Sequence, residues 1–149
     1  LPLPEMVICG TGLVAMALAE LATRFDFKVS PHAATNQTEK SDMEQGFGFE
    51  TANFVVVATQ GQGDSDALRT AVSGTFRYVC FVGSRQKFDA IASKLVAENP
   101  ELSVNLKKVK APAGLSINAI TPDEIALSIL AEITQLRRAG ALSRETADV

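Results

Sequence analysis

The sequence predicts a three-layer α/β domain, a mostly parallel sheet with helices on both faces, and three observations carry that prediction. A glycine turn, Gly10-Thr11-Gly12, separates a short apolar run from a segment of helical density. Two further apolar runs, residues 53–59 and 78–82, lack the alternation of a half-solvated strand and read as strands buried on both faces. Helix signals follow each run, and strands alternating with helices imply βαβ units with parallel pairing and right-handed crossovers. A strand, a glycine turn and a helix in that order make the fold Rossmann-like.

Taken in order, Met6-Val7-Ile8-Cys9 is a buried strand stopped by glycine, and residues 13–24 form a helix on Leu13, Val14, Met16, Ala17, Leu18 and Leu21. Phe27-Lys28-Val29 predicts a second strand, ended by Pro31. Residues 32–52 are polar and weakly patterned. They predict a long connection with at most a short strand near Phe47-Gly48-Phe49. The strand over 53–59 leads to a helix capped by Asp64 and running to about Ser73. After the strand at 78–82, Ser84 caps a helix from Arg85 to about Glu98, which Pro100 ends. A short strand is expected near Leu106 to Val109.

The last helix has the clearest punctuation. Thr121 is its N-cap, Pro122 takes the first helical position and Glu124 completes a capping box. Ile125, Ile129, Ile133 and Leu136 repeat at helical spacing, Arg137 and Arg138 suit the C-terminal dipole, and Gly140 is the expected stop. The expected organisation is one domain over 1–140 and a polar tail over 141–149.

Composition narrows the function classes. A chain of 149 residues buries roughly 68–70% of its unfolded surface, enough for one core. A net charge of -3 supplies no basic excess for phosphate backbones, so no nucleic-acid partner is expected. No apolar run approaches the ~20 residues that cross a bilayer, so no membrane association is expected. No charged leader with a cleavage site opens the chain, and a cytoplasmic address is the expectation. Cys9 and Cys80 both sit in strand-like apolar runs and are expected to be buried thiols rather than a disulfide.

The residues able to carry chemistry fall at the carboxyl ends of the expected strands, where open α/β sheets bind ligands. In Gly10-Thr11-Gly12, Gly10 permits the tight turn, Gly12 admits a phosphate to the backbone, and Ala15 replaces a third glycine. The first turn of the following helix carries no acid, so its free N–H groups and positive dipole end are left for an anion. A merely structural turn is the alternative. In NAD-binding domains an acid about 20 residues onward reads the ribose. Here the second strand ends Ser30-Pro31-His32-Ala33, the nearest acid is Glu39, and no arginine is present to favour NADP. That weighs against an ordinary dehydrogenase and leaves an NAD(P)-binding oxidoreductase domain as the alternative. His32, the only histidine, reads as incidental.

Thr59-Gln60-Gly61 opens a second glycine-bearing loop that can approach a ligand or simply turn before Asp64. Ser84-Arg85 begins a helix whose first turn holds cations, against the macrodipole. Arg85 can grip a phosphate in two-point fashion or stay solvated. The loop over 111–116, with Gly114 at its centre, can form a wall of the pocket. Glu124, Ser128 and Glu132 share one helical face, which reads as solvated. No metal-ligand spacing and no nucleophile–histidine–acid set is visible. A binding site is legible, a catalytic one is not.

Together these segments resemble the C-terminal Rossmann domain of the XdhC/CoxI family, accessory proteins of molybdenum hydroxylases such as xanthine dehydrogenase and carbon monoxide dehydrogenase. The resemblance runs from about Val7 to Arg138. It is most specific in TQGQGD (59–64), VGSRQK (82–87) and APAGLSINAITPDEIALSILAEI (111–133). It implies binding of the molybdenum cofactor (molybdopterin, a phosphorylated pyranopterin, or its nucleotide-extended form) and delivery to a hydroxylase apoenzyme, with a homodimer among the expected assemblies. Gly10, Thr11 and Gly12 would then hold phosphate, while Thr59, Gln60, Gly61, Ser84, Arg85 and Gly114 line the pocket. The family usually has histidine and glycine at Leu13 and Ala15, an acid at Ala33, and aspartate and glycine at Ser116 and Asn118. Its separate N-terminal domain, with a cysteine-bearing motif, has no counterpart in these residues. A ligand-free assembly or regulatory module is the remaining alternative.

Overall fold

The computed structural model describes residues 3–32, 54–74 and 76–147. In chain order it contains β1 (Glu5–Cys9), α1 (Leu13–Arg24), β2 (Lys28–His32), β3 (Phe54–Val57), α2 (Asp64–Ser73), β4 (Tyr78–Phe81) and α3 (Arg85–Glu98). A 3-10 turn (Pro100–Leu102), the short α4 (Ser103–Leu106) and α5 (Pro122–Ala147) follow. The four strands are all parallel, in the order β2-β1-β3-β4. Apart from His32, which ends β2, the expected connection over 32–52, with its short strand near Phe47, lies outside the described residues.

Both central strands are buried along their whole length, which is why their sequences do not alternate. Their pleat still divides them between two cores. Met6, Ile8, Phe54 and Val56 pack with Leu18, Ile129 and Ile133 beneath α1 and α5. Val7, Cys9, Val55 and Val57 pack with Leu68, Phe81, Phe88 and Leu95 beneath α2 and α3. Each large aliphatic side chain withdrawn from water there contributes about 1.5–3 kcal/mol. The result is three layers, helices on both faces of a parallel sheet.

Local punctuation explains most element boundaries. Ser84 Oγ accepts from Lys87 N at 3.0 Å and starts α3. Thr121 and Glu124 make the expected reciprocal box, Glu124 N to Thr121 Oγ1 at 3.2 Å and Thr121 N to Glu124 Oε1 at 2.9 Å. The N–H groups of Thr121 and Ile120, which both donate to it, hold the exposed Glu124 carboxyl below its usual range. Both cysteines are buried and unpaired. Burial pushes the Cys9 thiol up to about 12, and Cys80 is raised as well.

Four expectations need correction. Pro31 does not end β2, which continues to His32 with Ile8 opposite Pro31 and Cys9 opposite His32. Among the described strands β2 is an edge, where the missing proline N–H costs no ladder bond. The strand expected near Leu106 to Val109 is instead the end of α4, a turn and one parallel bridge between Lys110 and Cys80. Leu106 and Val109 are both buried, and their spacing of three suits a helical turn better than a pleat. Asp64 is the first residue of α2 rather than its cap; left-handed Gly63 (φ 84°) holds the cap position. Gly140 does not stop α5, which runs on to Ala147. A helical glycine costs only about 1 kcal/mol relative to alanine. Arg137 therefore sits within the helix, and its guanidinium lies 5.3 Å from the Phe27 ring centre.

Candidate ligand-binding site

The strand order creates a switch point. From β1 the chain moves to one side to form β2 and then crosses back to form β3, so the connections beyond β1 and β3 diverge at this point, the place where open sheets of this kind bind ligands. The Gly10–Gly12 turn and the Thr59–Gly63 loop flank it. Gly10 has φ 125°, and a Cβ there would lie 2.2 Å from the Ala58 carbonyl oxygen. No side chain fits between these two backbones. Gly12 is the N-cap residue of α1, with no capping side chain and no acid in the first turn. A Cβ on Gly12 would sit 3.3 Å from Gln60 Oε1, so the two loops touch through the Gln60 amide.

Asp64 organises the second loop. Its carboxylate accepts from the Thr59 hydroxyl, accepts from Gly61 N at 2.9 and 3.0 Å, and pairs with Lys87 Nζ at 3.2 Å. Burial alone would raise this carboxyl. The Thr59, Gly61 and Lys87 contacts outweigh burial and hold it below its ordinary 3.8. With both ends of the turn tied to one carboxylate, Gln60 adopts a left-handed backbone (φ 49°) that a non-glycine residue takes only under constraint.

Beyond this loop lies an open cleft of about 470 Å³. Gln60, Ser84 and Lys87 form one side, and the segment 112–119 forms the other, with Leu115, Ile117 and Asn118 among its lining residues. Asn118 (φ 59°) is the second left-handed non-glycine residue of the cleft. Lys87 is the one charged residue among the described residues lining it. The cleft therefore offers an ammonium, hydroxyls, two amides and an apolar wall.

The loop before that wall is anchored from below. Glu132, 8% exposed, accepts from Gly114 N at 3.1 Å and from the Tyr78 hydroxyl, and it pairs with Lys110 Nζ at 3.1 Å. Lys110 Nζ also donates to the Pro112 carbonyl at 2.9 Å, and Leu115 N to the Ser128 carbonyl at 3.1 Å. Burial, and then the nearby Cys80 and Glu132, push the Tyr78 phenol up. Gly114 (φ 96°) lies so close to α5 that a Cβ would be 2.3 Å from Ser128 Oγ. The expected solvated face is thus corrected: Glu124 is exposed, but Ser128 and Glu132 are buried under this loop.

Among the residues expected to line a pocket, Gln60 and Ser84 share the cleft. Gly10, Thr11 and Gly12 lie at the neighbouring turn, joined to it through Gln60. Thr59 is buried against Asp64, Gly61 gives its N–H to the same carboxylate, and Gly114 packs on Ser128. Arg85 is engaged on its own helix: its Nε lies 3.1 Å from Asp89 Oδ1 and its guanidinium 5.2 Å from the Phe88 ring centre. Sequence reasoning named Glu132 only on a solvated face and Asn118 only as a departure from the family pattern, and it gave Lys87 no role in the pocket. The signal for Lys87 was its place in the motif, three residues after the capping Ser84. His32 ends β2, with no acid in the strand's last two residues.

The family described as the XdhC Rossmann domain matches residues 6–133. The uncharacterized protein YqeB of Escherichia coli strain K12 is 27% identical over 150 residues, taking in 90% of this chain and 27% of YqeB. The chain thus spans about a quarter of that relative. A crystal structure from Bacillus halodurans, described as a xanthine dehydrogenase, superimposes with a TM-score of 0.71 at 22% identity, covering 93% of this chain and 44% of that one. That likeness is one of fold.

Proposed function

The chain belongs to the XdhC Rossmann-domain family, and from that premise we propose that it binds a phosphorylated pyranopterin, or its nucleotide-extended form, during maturation of a molybdenum hydroxylase. One observation carries this reading: the cleft beyond the Gln60 loop, next to the switch point, is lined among the described residues by a cation and no carboxylate, beside an apolar wall edged by amides. That donor set fits a phosphorylated heterocycle, with the ammonium for the phosphate, the amides for ring edges and the apolar wall for a ring face. The Gly10–Gly12 turn, next to the cleft through Gln60, supplies further backbone donors at the uncapped start of α1. The sequence at the end of β2, Ser30-Pro31-His32-Ala33, offers no acid to accept a ribose hydroxyl, which favours this reading over an ordinary NAD pocket.

The reading makes the domain a binding and delivery module whose partner is the hydroxylase apoenzyme. Among the described residues no helix is long and apolar enough to cross a membrane, and no three histidine, cysteine or acidic residues are grouped to hold a metal. Equilibrium titration with molybdopterin, NAD, NADP and ATP tests this reading. Preferential binding of molybdopterin is expected; exclusive micromolar binding of NAD with hydride transfer would overturn it.

A further inference from the structure

We infer that Lys87, rather than Arg85, is the residue that grips the ligand's anion, a phosphate monoester or diphosphate, in the cleft between the Gln60 loop and the 112–119 wall. The inference rests on the reading that the domain binds a phosphorylated ligand, and it locates the charge recognition on this chain.

The two cations of the α3 first turn have opposite fates. Arg85 is paired with Asp89 at 3.1 Å and lies against the Phe88 ring, and it does not line the cleft. Lys87 does line it, with its ammonium 3.2 Å from Asp64 Oδ2. Within that pair the lysine side chain is 44% exposed and the aspartate 8%, so the cation faces the cleft and the anion lies behind it. An ammonium has three N–H donors, so a ligand oxygen can join without displacing Asp64.

The surroundings favour an anion at that point. No carboxylate is among the described lining residues, so the ammonium is not neutralised from the cleft side. The first turn of α3 carries no acid, and its dipole end adds to the positive field. Gly61 leaves the approach open, since even a Cβ there would be 3.9 Å from Lys87 Nζ. The Asp64 carboxylate is fixed by Thr59 and Gly61, which holds the lysine where one end of a ligand seated along Gln60 and Asn118 would meet it.

The test is calorimetric titration with inorganic pyrophosphate of the wild type, Lys87→Gln, Lys87→Arg and Arg85→Gln, each checked for folding by thermal melt. Lys87→Gln should weaken binding about tenfold or more, as expected for loss of a charge-assisted contact. Lys87→Arg should recover part of the affinity, and Arg85→Gln should change it by less than about twofold. On the wild type, pyrophosphate should slow amine acylation of Lys87 selectively, read by peptide mass spectrometry. Unchanged affinity in Lys87→Gln with no protection, or a larger loss in Arg85→Gln, would overturn the assignment and leave the proposed function standing. Absence of millimolar pyrophosphate binding by the wild type would also overturn it, whereas the molybdopterin titration alone decides the broader reading.

Discussion

Replacing Gly10 by alanine should destabilise this domain far more than replacing Gly12, although both belong to one turn. At Gly10 a Cβ would fall 2.2 Å from the Ala58 oxygen and 2.7 Å from its carbonyl carbon, and both atoms belong to a buried backbone that pairs with β1. Relief would have to separate the ends of β1 and β3, where Ala58 N donates to Cys9 O at 2.8 Å. A φ of 125° adds strain of about 1–3 kcal/mol for an L side chain, and overpacking a rigid site adds about 1–3 kcal/mol. The sum, roughly 2–6 kcal/mol, is a large part of the ~5–15 kcal/mol that holds a domain folded. Gly12 has an ordinary φ of −82°, and its Cβ would meet only the movable tip of Gln60 at 3.3 Å. Gly12→Ala should therefore cost about 1 kcal/mol or less, the price of a poorer N-cap. Urea unfolding followed by circular dichroism, with equal m-values required, reads both. A Gly10→Ala loss under about 1 kcal/mol, or equal losses at the two sites, would refute this reading of the turn.

Three further outcomes follow from the buried polar groups and thiols. Glu132→Ala orphans the Gly114 N–H and the Tyr78 hydroxyl and leaves Lys110 unpaired; with Lys110 half exposed, denaturant titration should show a loss of about 2–4 kcal/mol. A loss below about 1 kcal/mol would mean that the loop does not depend on this carboxylate. The folded-state carboxyl of Asp64 is held low, so its stabilisation is present above the unfolded value and lost as pH falls through the folded one. The stability gap between wild type and Asp64→Asn should accordingly be constant near neutrality, shrink below about pH 4 and close in stronger acid; a gap that widens on acidification would reverse the sign. Cys9 and Cys80 should resist a thiol reagent in the native protein and react at the rate of unfolding, since burial raises both thiols.

Where a helix begins on side-chain caps, its start was legible to the residue. Ser84 and the Thr121–Glu124 box fix where α3 and α5 begin, because a cap is a contact between residues three apart. The Leu13–Arg24 helix was equally plain from its apolar density. What escaped depended on neighbours remote in sequence. Pro31 is tolerated because β2 has no described partner on its outer side, which only the strand order reveals. Glu132 looks solvated on its own helix, and its burial comes from Lys110, Gly114 and Tyr78, which lie 18 to 54 positions away. At the site, the glycine loops were visible from the sequence. The choice between two nearby cations was not, since it turns on Asp89 and Phe88 holding one and Asp64 the other.

The most direct test of the account is amide chemical-shift mapping during titration with molybdopterin. Saturable shifts are expected at Gln60–Gly63, Ser84–Lys87 and Ser116–Ala119 around the cleft, and at Gly12–Val14 in the neighbouring turn. Shifts confined to the amino end of β4, around the separate hollow of Gly74, Phe76 and Arg77, or no saturable shifts at all, would contradict it.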